Sequence, residues 1–179
     1  MRLLGAILAG GQSRRFGSDK AAALLAGTPL LEHVAAAIES HVDDVVVVGR
    51  RSQAYAAIED FPMPLLGPLG GLCAALRHAQ SWSFDAVLTA GCDVLPLPAD
   101  LADRLAAGPA VVEGQPLLGL WPTSLFERLL EHLTFSDDRS MRAWVERADA
   151  RTVPFAAPIY NLNTPADLSY YAAAEGLVR

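Results

Sequence analysis

The run Val45-Val46-Val47-Val48, closed by Gly49, constrains the fold of this 179-residue chain more than any other feature. Four β-branched residues in a row stiffen an extended backbone. No polar residue alternates with them, so both faces of the strand must be covered. Strands buried on both faces belong to parallel sheets, whose connections cross over through helices. The flanking sequence supplies those pieces. Leu3–Leu8 reads as another buried strand, and Phe84–Thr89 as a third that ends at Gly91-Cys92-Asp93. Pro29–Ser40 carries Leu30, Val34, Ala37 and Ile38 at helical spacing. Ser52–Asp60 predicts a short helix, Leu72–Ala79 a second one, and a third begins near Pro98 with Ala99 and Asp100 in its first turn. A hairpin over Ala110–Glu113 and Pro116–Trp121, turning at Gly114-Gln115, precedes helices at Thr123–Leu133 and Ser140–Arg147. Arg151–Pro154 is a late strand. Thr164 is an N-cap, with Pro165 first and Asp167 third in the last helix; aspartate in place of glutamate weakens the capping-box reading. The alternation predicts an α/β fold, a mostly parallel central sheet with helices on both faces. The loops at Gly10, Gly49 and Asp93 each follow a strand and so share one carboxyl rim, where such sheets bind ligands.

Hydrophobic residues make up 52% and charged residues 19%, which excludes a disordered chain. No apolar run reaches the roughly 20 residues of a membrane span. The opening Met1-Arg2-Leu3-Leu4 leads into an apolar stretch too short for a signal peptide. Cys73 and Cys92 lie far apart, which predicts neither a disulfide framework nor a zinc site and suits a reducing cytoplasm. His33, His41, His78 and His132 are scattered and read as surface or helix-end residues on helices. The formal net charge of −6 argues against nucleic acid as a partner. The cations nonetheless cluster, at Arg14, Arg15 and Lys20 and again at Arg50 and Arg51, which suits a small anionic ligand.

The first strand stops at Gly10-Gly11, and the polar loop Gln12-Ser13-Arg14-Arg15-Phe16-Gly17-Ser18-Asp19 closes on Lys20. Glycines let the backbone approach an oxyanion, backbone N–H groups cradle it, and the cations neutralise it. The spacing is neither that of a P-loop nor that of a dinucleotide fingerprint. A nucleotide triphosphate is the predicted ligand, against a plain solvated turn. Asp93, at a strand's carboxyl end, is either a magnesium ligand or a turn residue; magnesium takes one or two carboxylates together with phosphate oxygens. Asn161 and Asn163 flank Leu162 and share a side in an extended segment, either to hydrogen-bond a heterocycle or phosphate or to form a turn before the last helix.

Four segments in register resemble the molybdenum cofactor guanylyltransferases. They are Leu8–Gly17 with Asp19-Lys20, Gly67-Pro68-Leu69-Gly70-Gly71, Cys92-Asp93-Val94-Leu95-Pro96, and Asn161-Leu162-Asn163-Thr164-Pro165-Ala166-Asp167-Leu168. The resemblance runs from the first strand to the last helix. It implies a Rossmann-like nucleotidyltransferase fold, with residues 1–179 as one domain. It also implies transfer of GMP from GTP to molybdopterin, with magnesium as cofactor and pyrophosphate as by-product. Cytidylyl or sugar-phosphate transfer on the same fold, or a non-catalytic molybdopterin carrier, are the alternatives. By the same resemblance, Leu8, Ala9, Gly10 and Gly11 would contact the nucleotide, Lys20 its phosphates, and Asp93 the metal. Lys20, Asp93 and Arg15 would form the catalytic set. Arg15, Asn161 and Asn163 would lie near the pterin, and the Gly67–Gly71 segment under the base. Molybdoenzyme-specific or cofactor-handling proteins are the implied further partners. Two positions depart from the family pattern. Val48 stands where members often place an asparagine, and Pro62-Met63-Pro64-Leu65-Leu66 where they often carry an aspartate, leaving Asp60 as the nearest carboxylate. An aspartate suits guanine, whose ring N–H and exocyclic amine it accepts together. The adjacent glycines favour guanylyl over cytidylyl relatives, which usually read Ala-Ala-Gly.

Overall fold

A computed structural model describes residues 1–10 and 20–177, with Lys20 described by its backbone alone. In chain order the elements are β1 (Leu3–Leu8), β2 (Leu24–Leu25), β3 (Thr28–Pro29), α1 (Leu30–Glu39), β4 (Asp44–Val48), β5 (Ala56–Ile58), α2 (Pro68–Ser81), β6 (Ala86–Gly91) and β7 (Val94–Leu95). They continue with α3 (Leu101–Leu105), β8 (Ala110–Val112), β9 (Gln115–Pro122), α4 (Phe126–Phe135), α5 (Met141–Arg147), β10 (Arg151–Val153), β11 (Tyr160–Asn161) and α6 (Pro165–Ala174). Seven strands form one sheet in the order β10-β8-β9-β6-β1-β4-β5. β6, β1, β4 and β5 are mutually parallel, and β9 runs antiparallel between β6 and β8.

The valine run behaves as its composition dictates. Val45 and Val47 pack into the core on one face, with α1, α3 and α6. Val46 and Val48 pack into the core on the other, with α2, α4 and α5. β1 divides in the same way, Leu3 and Ile7 to one side, Leu4 and Ala6 to the other. Because β4 lies on one flank of β1 and β6 on the other, the chain reverses its winding at β1, and a crevice opens at that strand's carboxyl end.

Several expectations are corrected. Ser52–Asp60 is not a helix. Ser52 Oγ accepts from the backbone N–H groups of Ala54 and Tyr55, and β5 then pairs with β4 in parallel. The helix preference of the alanines yields to an open strand edge, onto which the backbone bonds. Helix α2 starts at Pro68, four residues before the predicted start at Leu72, because proline at the first position pre-sets the helical φ. Helix α3 starts at Leu101 rather than near Pro98. The hairpin turns at Glu113-Gly114, with Gln115 already paired to Val112. Asp167 completes a full capping box: it accepts from the Thr164 N–H at 2.8 Å, while Thr164 Oγ1 accepts from the Asp167 N–H at 3.1 Å. The shorter aspartate reaches the cap after all.

His132 is the outlier among the histidines, since it is buried rather than on the surface, and His41 lies just past α1 rather than on a helix. The His132 ring is 3% exposed and packs 5.6 Å from Trp144, and neither ring nitrogen has a hydrogen-bond partner among the described residues. Burial, aided by the Arg147 charge and opposed by Asp138, pulls its pKa below the ordinary 6.5. The neutral ring is thus the folded form. Its contribution is complete above 6.5 and is lost as the pH falls from there through the lower folded value. His132→Phe replaces the unpartnered ring with an apolar one of similar shape, so the variant should lose less melting temperature than the parent between pH 7.5 and pH 5. Thermal melts across that range test it; equal acid sensitivity of the two proteins would place the labile group elsewhere.

Candidate functional site

The carboxyl ends of β1, β4 and β5 meet at a cavity of about 850 Å³. Its wall includes Gly10, Gly49, Arg50, Arg51, Asp60 and Gly67. The closeness of its backbones depends on missing side chains. A Cβ added to Gly49 would fall 2.7 Å from Gly10 Cα, and the Gly49 φ of +78° independently disfavours any side chain. The Gly49 N–H donates to the Ile58 carbonyl at 2.9 Å, and the Ala9 N–H to the Val48 carbonyl at 3.0 Å, so the three strand ends are tied together.

Asp60 occupies the centre of this glycine cradle. Its Oδ1 lies 3.7, 3.5 and 3.6 Å from the Cβ positions that side chains at Gly10, Gly49 and Gly71 would take. It sits two residues beyond β5 and is half-buried. Burial pushes its carboxyl above the ordinary carboxylate range, while a hydrogen bond from the Leu65 backbone N–H works the other way. Leu65 holds a φ of +67° and is largely exposed at the cavity mouth. Sequence reasoning counted Asp60 only as the nearest carboxylate to a missing one. Its signal is the strand that carries it, Ala56–Ile58, where local preference predicts a helix.

Of the predicted nucleotide contacts, Gly10 lines the cavity and Leu8 and Ala9 lead into it. Because the Ala9 N–H is committed to Val48, the backbone hydrogen-bonding group that Ala9 has left for a ligand is its carbonyl. Gly11 and Arg15 lie outside the described residues. Lys20 opens a single turn of 3-10 helix over Lys20–Ala22. Arg50 and Arg51, noted as a basic pair, stand on the cavity wall. Val48 is 1% exposed and packs toward α2, so it offers a ligand nothing polar. In the predicted Gly67–Gly71 segment, Gly67 lines the cavity, whereas Gly70 and Gly71 are buried in the first turn of α2.

Asp93 stands on the other flank of β1. Gly91, which ends β6, is the register partner of Leu8, and adjacent strands lie about 4.8 Å apart. The Asp93 Oδ1 folds back to 2.7 Å from where a Gly91 Cβ would be, a position open only because residue 91 is glycine. Asp93 does not line the cavity itself. The Asn161–Asn163 segment is fastened beside it: Asn161 pairs with Val94, and the Leu162 N–H donates to the Asp93 carbonyl at 2.9 Å. The two asparagines are exposed and not equivalent. Asn161 Nδ2 donates to Gln115 Oε1 at 2.9 Å, and Asn163 Nδ2 to the Asn161 carbonyl at 3.3 Å. No group of three or more histidine, cysteine, aspartate or glutamate side chains suited to a metal gathers among the described residues. The donor set at Asp93, one half-buried carboxylate at a strand end, still fits magnesium, which completes its shell with phosphate oxygens and water.

Among the described residues no helix is long and apolar enough to cross a membrane. Residues 5–152 match the family model of the MobA-like NTP transferase domain. A molybdenum cofactor guanylyltransferase from Cereibacter sphaeroides is 38% identical over an alignment of 195 residues, which covers 100% of this chain and 98% of that protein. One from Rhizobium leguminosarum bv. trifolii is 35% identical, covering 93% and 90%. The crystal structure of molybdopterin-guanine dinucleotide biosynthesis protein A from Archaeoglobus fulgidus superposes with a TM-score of 0.74 over 98% of this chain and 100% of that one, at 23% identity, and so shares the fold. The chain belongs to the MobA-like NTP transferase family, among the molybdenum cofactor guanylyltransferases.

Proposed function

We propose that residues 1–179 act as one magnesium-dependent nucleotidyltransferase domain that moves GMP from GTP to molybdopterin in the cytoplasm. The observation that carries the reading is the placement of two carboxylates on opposite flanks of the β1 terminus, Asp60 in a cavity roomy enough for a nucleoside and Asp93 beside the Asn161 segment. Guanine enters the cavity and presents its ring N–H and exocyclic amine to Asp60. The triphosphate crosses Gly10 toward Asp93, with Gly11 and Lys20 along its path, while the Ala9 carbonyl, an acceptor, is left for a donor of the nucleoside. The terminal phosphate of molybdopterin comes from the Asn161 and Asn163 side, accompanied by Arg15. Its oxygen bonds to the α-phosphorus of GTP while the bond from that phosphorus to the bridging oxygen breaks, and pyrophosphate leaves with that electron pair. A phosphate is already ionised at neutral pH, so no general base is needed. The residues align two anions and offset the charge of the departing one. Asp93 would hold the magnesium ion, which when bound draws charge from the phosphate oxygens.

Incubation with GTP, molybdopterin and magnesium should release pyrophosphate and yield the guanine dinucleotide. In thermal-shift measurements GTP should stabilise the protein more than CTP, ATP or UTP. Binding of molybdopterin without pyrophosphate release would instead indicate a carrier, and preference for CTP a cytidylyl enzyme. Lys20→Ala should weaken GTP binding by about 1.5–3 kcal/mol, the worth of one charge-assisted hydrogen bond. Calorimetry reads this directly, and an unchanged affinity would remove Lys20 from the phosphate path.

A further inference from the structure

The cavity wall carries charges of both signs. Asp60 stands in the glycine cradle, and Arg50 follows directly from Gly49, whose Cβ position lies 3.5 Å from the Asp60 Oδ1. Guanine is matched to such a pair. One edge carries the N1–H and exocyclic amine donors, and the next carries the O6 and N7 acceptors. A carboxylate accepts two hydrogen bonds from the first edge, and a guanidinium fork donates two to the second. Adenine sets an amine where O6 stands and would turn N–H against N–H. The position at the end of β4 cannot share the task, because Val48 is buried against α2. The next polar side chain beyond that strand end is Arg50, which is half-buried on the cavity wall, whereas Arg51 on the same wall is exposed.

We propose that Arg50 is a specificity-determining residue that donates to O6 and N7 of the guanine whose opposite edge Asp60 holds. Arg51 supplies charge without reading the base. The assignment rests on guanine being the bound base. It adds a second reading group to a site where the carboxylate alone separates guanine from adenine but leaves N7 unread.

The full-length protein and its variants are titrated with GTP, 7-deaza-GTP (which lacks N7), ITP (which lacks the exocyclic amine) and ATP. The parent should bind 7-deaza-GTP roughly tenfold more weakly than GTP. In Arg50→Gln that ratio should fall to about one, whereas Arg50→Lys, which keeps the charge and a donor but not the fork, should retain part of it. The GTP to ITP ratio should survive in both. Asp60→Asn should do the reverse, lowering the GTP to ITP ratio and leaving the GTP to 7-deaza-GTP ratio. Arg51→Gln should weaken all four ligands alike. Ratios within one variant are insensitive to the fraction of protein that is folded. A parent that prefers GTP over ATP yet binds 7-deaza-GTP as well as GTP overturns the role of Arg50 alone. So does an Arg50→Gln ratio equal to the parent's. A parent that does not separate GTP from ATP overturns the guanine reading itself, and the role of Arg50 with it.

Discussion

Replacing Asp93 with alanine is expected to lower turnover by roughly a hundredfold or more while leaving the melting temperature close to that of the parent. The two halves of that expectation rest on different atoms. The backbone of Asp93 is structural, because its carbonyl accepts from the Leu162 N–H and so helps join β7 to β11. Alanine keeps that bond. The side chain is held over Gly91, at the end of a strand whose core contacts come from Val87, Leu88 and Ala90. Removing it opens no hole in either core. The lost function is a negative charge beside the proposed path of two phosphates, and no cluster of three or more metal-binding side chains stands among the described residues to take over from it. Asp93→Asn preserves shape and removes only the charge, so it should be as inactive as the alanine variant. The measurements are pyrophosphate release with saturating GTP and a thermal melt on the same preparation. A turnover near the parent's with Asp93→Ala would remove Asp93 from the reaction.

The outline of the fold was legible because its central strands are buried on both faces. Leu3–Leu8 and Val45–Val48 carry so little polarity that only a covered, parallel arrangement accommodates them, and a common rim for Gly10, Gly49 and Asp93 follows from that arrangement. The edge of the sheet was not legible. Residues Ala56–Ile58 have a strand partner on one side only and carry two exposed alanines, so local preference pointed to a helix and only the open edge of β4 makes them a strand. The candidate site inherited this error. With 52–60 read as helix, Asp60 had no reason to face the rim. Read as the residue two beyond a parallel strand, it falls beside Gly10 and Gly49. Gly70 and Gly71 enter the sequence reading only through the family resemblance, as part of a segment under the base; their role in the structure is packing, since the first turn of α2 can approach β1 closely only without side chains, as the 3.0 Å from a Gly71 Cβ position to Leu8 Cδ2 shows. His132 was misread because histidine is ordinarily polar at the surface, and nothing in its spacing announces the Trp144 ring that covers it.

Asp60→Asn should weaken GTP binding by roughly a hundredfold and reduce the preference for GTP over ATP to the share that Arg50 carries at O6. An ionised carboxylate accepts from the guanine N1–H and amine together. The carboxamide turns one N–H toward those donors, so the variant loses one charge-assisted bond and sets donor against donor within a confined cavity. The loss belongs mainly in KM for GTP rather than in kcat, because in the proposed arrangement the base is held alike in the ground state and the transition state, away from the reacting phosphorus. Burial raises the Asp60 pKa above the ordinary 3.8, and only the ionised form accepts twice. GTP affinity of the parent should therefore decline on acidification at a pH above the ordinary carboxylate range, and Asp60→Asn should lack that decline. Stability should move differently from affinity. A half-buried charge with a desolvation cost gives way to a neutral side chain of equal size, so the melting temperature of the ligand-free variant should equal or exceed the parent's. Calorimetric titration with GTP and ATP between pH 5 and pH 8, beside thermal melts without ligand, separates the two effects. A variant whose GTP preference is undiminished would show that Asp60 does not read the base.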